Sequence, residues 1–157
     1  LMVQIPLEVK ELIESQGIFA VGSVGNSKFA NISPRIFFDV REETIYWLDF
    51  FQHKSYRNFK ANPRVTVAAY DKKDLTGFQL RGLVSFVTDE PERTRIKDEI
   101  IKRTLRVNPS EKVKKISEKE AQVILFEPKV VYSLNPEYFA DLCIGSDVDA
   151  TDLFEKC

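Results

Sequence analysis

The chain has 157 residues, 23 of them basic and 24 acidic, a length that fits one domain with a substantial core. This balance excludes the strong global field that would steer a protein to nucleic acid or an anionic membrane surface. No apolar run reaches the roughly 18 residues of a membrane span, and the start lacks the charged-then-apolar order of a secretory signal, so a soluble, cytoplasmic protein is expected.

Pro6 can start a helix in which Val9, Leu12 and Ile13 form one apolar stripe, and Gly17 can close it. The segments IFAVGSV, FANISPRIFFDV, TIYWLDF, RVTVAAYD and FQLRGLVSFVTD follow, rich in β-branched and aromatic residues and separated by turn-formers such as Gly25-Asn26. So many strands in so short a stretch predict an antiparallel sheet that must curl or close. In the last of them Phe78, Leu80, Gly82, Val84 and Phe86 share one side, and Gln79, Arg81 and Ser85 the other.

Asp89, with Glu92 three residues on, signals the start of a helix carrying Ile96, Ile100 and Leu105 and ended by Asn108-Pro109. EKVKKISEKE reads as a solvated loop or short helix, with Ser117 and Glu120 as a weak capping signal for a further turn. AQVILFE and KVVYSLN, joined around Pro128, complete the barrel. Domain bounds of 2–136 are expected, with a mixed aromatic and acidic tail at 137–157 that packs on a partner or frays. Cys143 and Cys157, with a single His in the chain, match no metal-ligand spacing, so free thiols and no metal site are expected.

The most informative stretch is Phe50–Gly82. There His53-Lys54-Ser55 lies where an extended segment gives way to a short helix, SYRNFKAN, with Ser55 as its N-cap. Free N–H groups, the positive end of the helix dipole and the Lys54 charge together suit a phosphate monoester. Arg57 and Arg64 either add positive potential at the phosphate or are plain helix-surface and strand-start arginines, and Arg81 is as readily a cross-strand ion-pair partner as a substrate contact.

These elements, in this order, resemble the FMN-binding split-barrel family that includes pyridoxamine 5′-phosphate oxidase and small bacterial FMN-binding proteins. The likeness spans about residues 7–134 and rests on HKSYRN-x4-PRV and on TGFQLRG followed by Phe86-x-Thr88-Asp89. It implies a mainly β fold with flanking helices, a six- to seven-stranded antiparallel split β-barrel, binding FMN. By the same resemblance, Lys54 and Ser55 hold the phosphate with His53 and Asn58 beside them. Asn31, Ile32 and Ser33 bond the edge of the isoalloxazine, and Trp47, Leu48 and Asp49 flank the ribityl chain and ring. On its own residue chemistry Trp47 reads as a core or interface residue ahead of a ring stacker.

Family members are usually homodimers with the flavin at the subunit interface, so a homodimer is expected, with a small molecule or redox protein as electron partner. The oxidase proper carries an Arg-Lys phosphate anchor and an Arg- and His-bearing C-terminal segment. Here Lys54-Ser55 and an acidic tail stand instead, which counts against pyridoxamine phosphate as substrate. The reading is an FMN-dependent oxidoreductase with no side chain assigned a catalytic role, since the flavin supplies the chemistry. Its alternatives are an electron-transfer or flavin-carrier protein, and a split barrel using F420 or haem in place of FMN.

Overall fold

The stripe of Val9, Leu12 and Ile13 folds as expected into helix α1 (Leu7–Gln16), with Pro6 at its N-cap and Gly17 closing it at φ 68°. A left-handed residue at this position suits glycine, and its N–H donates to the Ile13 carbonyl. The computed structural model describes residues 3–51, 54–137 and 142–146. After α1 come β1 (Phe19–Val24), β2 (Ala30–Arg35), β3 (Phe38–Val40), β4 (Ile45–Asp49), α2 (Lys54–Ala61), β5 (Arg64–Asp71) and β6 (Thr76–Phe86). Then α3 (Glu90–Val107), α4 (Glu111–Ser117), β7 (Gln122–Ser133) and β8 (Leu142–Ser146) follow.

The strands form one antiparallel sheet in the order β2-β1-β5-β6-β7-β4-β3, with β8 paired to β7. β2 and β3 are the two ends of this path, yet only Ile36 and Phe37 separate them in sequence. The sheet must therefore curl until its ends approach, and the result is a mainly β split barrel with flanking helices.

FANISPRIFFDV is thus not one strand. Its first half pairs with β1 and its second with β4, and the break at Ile36–Phe37 is where the chain crosses the mouth of the curl. AQVILFE and KVVYSLN, expected as two strands, are the single strand β7, which runs through Pro128. Proline cannot donate to a ladder, and the sheet accommodates it at a bulge. Gly82 lies opposite Pro128, and the register then skips Lys129. A Cβ on Gly82 would sit 2.1 Å from the Glu127 carbonyl oxygen and 2.8 Å from Pro128 Cα, so glycine is required for the strands to come this close.

Helix α3 starts at the expected cap, with Asp89 accepting from the Glu92 N–H at 3.2 Å, and buries Ile96, Ile100 and Thr104. Ser110, not Ser117, caps α4; Ser117 is the last residue of that helix, and its hydroxyl donates to the Lys114 carbonyl at 2.6 Å. The Ser117-x-x-Glu120 signal therefore starts nothing, because Ser117 is consumed by the turn it ends.

Two apolar clusters result. One fills the barrel, with Phe19, Val21, Trp47, Phe59, Leu80 and Phe126 among its members. The other, built on Phe37, Tyr46, Leu48, Ile96, Ile100 and Val123, lies between the sheet and helices α3 and α4. On the remaining side, the outer face of β2-β1-β5-β6 forms a trough of about 640 Å³ with Ala20, Gly22 and Ala68 in its floor. Among the described residues, no helix is long and apolar enough to cross a membrane.

Candidate functional site

Alternation along β2 sorts its side chains. Asn31, Ser33 and Arg35 lie opposite Ser23, Val21 and Phe19 of β1 and share their inward face, whereas Ile32 lies opposite Gly22 and lines the outer trough, 73% exposed. Of the three residues expected along a ring edge, two therefore face the barrel mouth and one faces away.

Helix α2 meets that inward face. It begins at Lys54, one residue before the expected cap, so Ser55 sits inside the first turn instead of capping it. This turns its hydroxyl toward the barrel, where it is buried, accepts from Asn31 Nδ2 at 2.9 Å and lies 2.7 Å from Ser33 Oγ. Ser33 Oγ also accepts from Arg35 Nη1 at 2.8 Å, and Arg35 Nε donates to Asp49 Oδ1 at 2.7 Å. A continuous network thus links Asn31, Ser55, Ser33, Arg35 and Asp49, residues from β2, α2 and the end of β4.

Counting protons shows what this network lacks. Asn31 donates into Ser55 and Arg35 into Ser33, so whichever serine donates to the other, one hydroxyl hydrogen of the pair has no acceptor among the described residues. Lys54, exposed at the same helix start, adds a positive charge. This end of the site is therefore rich in donors and suited to an anion.

Beside it lies a slot of about 350 Å³. Pro34, Ile36, Phe37, Leu48, Phe50 and Phe51 supply its apolar walls, Ser33, Arg35, Asp49 and Ser55 its polar ones, and Ile116 reaches it from α4. Phe51, 46% exposed, stands at the surface. Burial pushes the Asp49 carboxyl above the usual range; the charge and hydrogen bond of Arg35 pull it back, and the Trp47 indole does so more weakly. Asp49 Oδ2 and Trp47 Nε1 are both buried without a well-formed hydrogen bond, so the indole acts on the carboxylate by proximity.

The remaining expected site residues are spread around this centre. Leu48 and Asp49 line the slot. Trp47 is fully buried in the barrel, its ring 5.7 Å from Phe19, 5.9 Å from Phe126 and 6.0 Å from Phe59, and does not line the slot. Asn58 donates from Nδ2 to Ser23 Oγ at 3.2 Å and packs on Gly25, clipping α2 to the hairpin between β1 and β2. His53 lies outside the described residues, as does Cys157. Arg35, Phe37 and Phe50 were not singled out in the sequence. Arg35 has a signal, since it continues the two-residue spacing of Asn31 and Ser33; Phe37 and Phe50 have none, because an aromatic in or beside a strand is what any sheet core calls for.

The sequence profile of the pyridoxamine 5′-phosphate oxidase family matches residues 5–142. The chain belongs to this family. Solved structures similar to it agree on the fold. A Clostridium acetobutylicum protein related to general stress protein 26 of B. subtilis, of the pyridoxinephosphate oxidase family, is 15% identical with a TM-score of 0.68 over 91% of this chain and 94% of that one. HupZ of Group A Streptococcus is 18% identical, with a TM-score of 0.66 over 84% of this chain and 95% of that one. HutZ of Vibrio cholerae, a heme storage protein by its description, is 16% identical, with a TM-score of 0.61 over 80% and 91% of the respective chains. No curated protein matches significantly by sequence. Among the described residues, no group of three or more His, Cys, Asp or Glu side chains could hold a metal ion.

Proposed function

We propose that this protein is a flavoprotein that binds FMN in the slot between β2, β4 and α2 and acts as an oxidoreductase through it. The observation that carries the reading is the convergence of Asn31, Ser33 and Ser55, with β2 and α2 more than 20 positions apart in the chain, on one hydrogen-bonded network at the end of an apolar slot. The fit is chemical. A flavin needs an anion clamp, a flat apolar cavity and polar groups along its edge, and the donor-rich serine pair with Lys54, the Phe- and Leu-lined walls and Asp49 match these needs in turn.

Bound FMN would supply hydride or electron transfer. The residues of this chain bind and orient: Lys54 and the surplus serine hydroxyl hold the phosphate, with His53 beside them. Arg35, fixed by Asp49, keeps Ser33 in place. Phe50 and Phe51 keep water from the slot. A second copy of the chain is the expected partner, packing on the trough of the outer sheet face and bordering the slot through β2.

The test is titration of FMN by quenching of its fluorescence. Lys54→Ala combined with Ser55→Ala should weaken binding by about 1.5–3 kcal/mol for each charge-assisted hydrogen bond to the phosphate that the substitutions remove. Unchanged affinity would overturn the phosphate assignment. Rapid bleaching of the flavin by NADH or NADPH in stopped flow supports the enzyme over an electron carrier; reduction by a redox protein alone supports the carrier.

The likeness to HutZ favours one second reading, a haem protein. His53, the single histidine, is then the natural axial ligand. The visible spectrum of the protein as isolated separates the two, a Soret band removed by His53→Ala supporting haem and a flavin spectrum excluding it.

A further inference from the structure

The outer face of the sheet continues past the trough onto β7. There Val130 and Tyr132 lie opposite Arg81 and Gln79, two residues that line the trough, so all four side chains share that face. Helices α3 and α4 cover β7 at its other end, around Val123. Val130 is nevertheless 0% exposed and Tyr132 7%, in a small cluster of their own on which Leu83 packs. Apolar side chains on the outer face of a sheet escape water only beneath a cover. One partly buried leucine from the neighbouring strand is too little to cover a valine and a tyrosine.

The same region is positively charged. The Arg81 guanidinium lies 5.3 Å over the Tyr132 ring, and Arg64, opposite Leu83, stands beside it in a trough lined by no carboxylate among the described residues. Glu127, also in register with Leu83, adds one negative charge against these two arginines. The last described residue, Ser146, pairs with Val130, one strand from the cluster and two from Arg81. After it, residues 147–157 carry Asp147, Asp149, Asp152 and Glu155 against Lys156, with Val148, Leu153 and Phe154 among them. Two strand spacings are about 10 Å, which an extended chain covers in about three residues. The aspartates can therefore reach Arg81 while chain remains for Leu153 and Phe154 to lie on the cluster.

We propose that the outer face of β6 and β7 is a docking surface for residues 147–157 of the same chain. Leu153 and Phe154 lie over Val130 and Tyr132, and the aspartates lie against Arg81 and Arg64. Apolar burial holds the segment, and the opposite charges set its register and direction. Docked there, it borders the trough along β6 and leaves the β2-β1 side, where Ile32 is exposed, to a second copy. The docking is independent of whether FMN fills the slot.

Two measurements on the full chain test it, one reading the segment and one the face. Chymotrypsin should cleave after Phe154 at least about tenfold more slowly than in a synthetic peptide of residues 147–157, because cleavage must wait for the segment to lift off. Raised salt and Arg81→Gln should each speed that cleavage by about threefold, since both weaken the charge contacts. Cleavage as fast as in the peptide, or a rate that neither change moves, overturns the proposal. For the face, nitration by tetranitromethane, located by mass spectrometry, should be slow at Tyr132 and rise about fivefold or more in Leu153→Ser combined with Phe154→Ser. Tyr46, buried under α3 and α4, should stay slow in that variant, which separates loss of the segment from unfolding; if the variant unfolds, Arg81→Gln carries the same readout. A Tyr132 that stays protected when the segment is freely cleaved has another cover and overturns the assignment. Both rates should be independent of protein concentration; protection that grows with concentration gives the segment to a second copy and overturns docking within one chain.

Discussion

Strands β2 and β4 both border the slot, yet they are built in opposite ways. All five residues of β4 are buried, because the barrel core covers one face and the cluster under α3 and α4 the other, and its sequence IYWLD is nearly all apolar. In β2 no residue is fully buried, exposed and half-buried positions alternate, and the sequence ANISPR mixes polar and apolar. A strand covered on both faces can contribute one functional group only by burying it, as Asp49 is buried. A strand at the sheet edge can offer polar groups to a cavity on one face and an apolar surface on the other. β4 therefore supplies the rigid wall of the site, and β2 its chemistry.

The most severe way to break this contrast is to unpair the one charge that β4 buries. The Arg35 and Asp49 side chains are 12% and 3% exposed, so Arg35→Met leaves a buried carboxylate alone and should cost about 3–5 kcal/mol in urea unfolding at neutral pH. The pH dependence has a definite sign. Burial already raises the Asp49 carboxyl above its ordinary 3.8, so the folded state holds that proton more tightly than the unfolded one, and stability falls as pH rises from 3.8 through the raised value. Without Arg35 to oppose it, the shift grows. The deficit of Arg35→Met should be full at neutral pH and shrink on acidification; a deficit constant with pH would mean that Asp49 is not the group left unpaired.

A smaller effect is expected where the covered strands come closest. Gly82→Ala places a methyl group against the Glu127 carbonyl at the Pro128 bulge and should cost about 1–3 kcal/mol by thermal or urea unfolding. A neutral result would show that the bulge can move.

The smallest effect on stability belongs to the uncovered face. Ile32→Asp, at a position 73% exposed, should change the stability of the single chain by less than about 0.5 kcal/mol. In sedimentation velocity the same substitution should convert a dimer to monomer if a second copy packs on this trough. A dimer that persists would place the interface elsewhere.

Much of this architecture is legible in the amino-acid sequence. The stripe and caps of α1, the Asp89 cap of α3 and the alternation of β6 follow from local periodicity and termination chemistry, which act over a few residues. Where sequence and structure part, the cause is of another kind. Pro128 reads as a break only until Gly82 is seen opposite it, and FANISPRIFFDV reads as one strand until its halves pair with opposite ends of the sheet. Ser55 reads as a cap because a helix start is placed only to within a residue, and one residue decides whether its hydroxyl meets backbone or Ser33.

By itself the sequence determined helices α1 and α3, most of the strand-forming segments, the antiparallel class and a set of polar residues near a helix start, because hydrophobic period and turn chemistry are written locally. Only the tertiary structure decided which of those residues meet. The curl of the sheet brings Asn31 and Ser33 to Ser55, alternation along β2 sends Ile32 to the other face, and burial gives Asp49 to Arg35. Contacts between residues far apart in the chain depend on how the whole sheet closes, and no short window of sequence contains that closure.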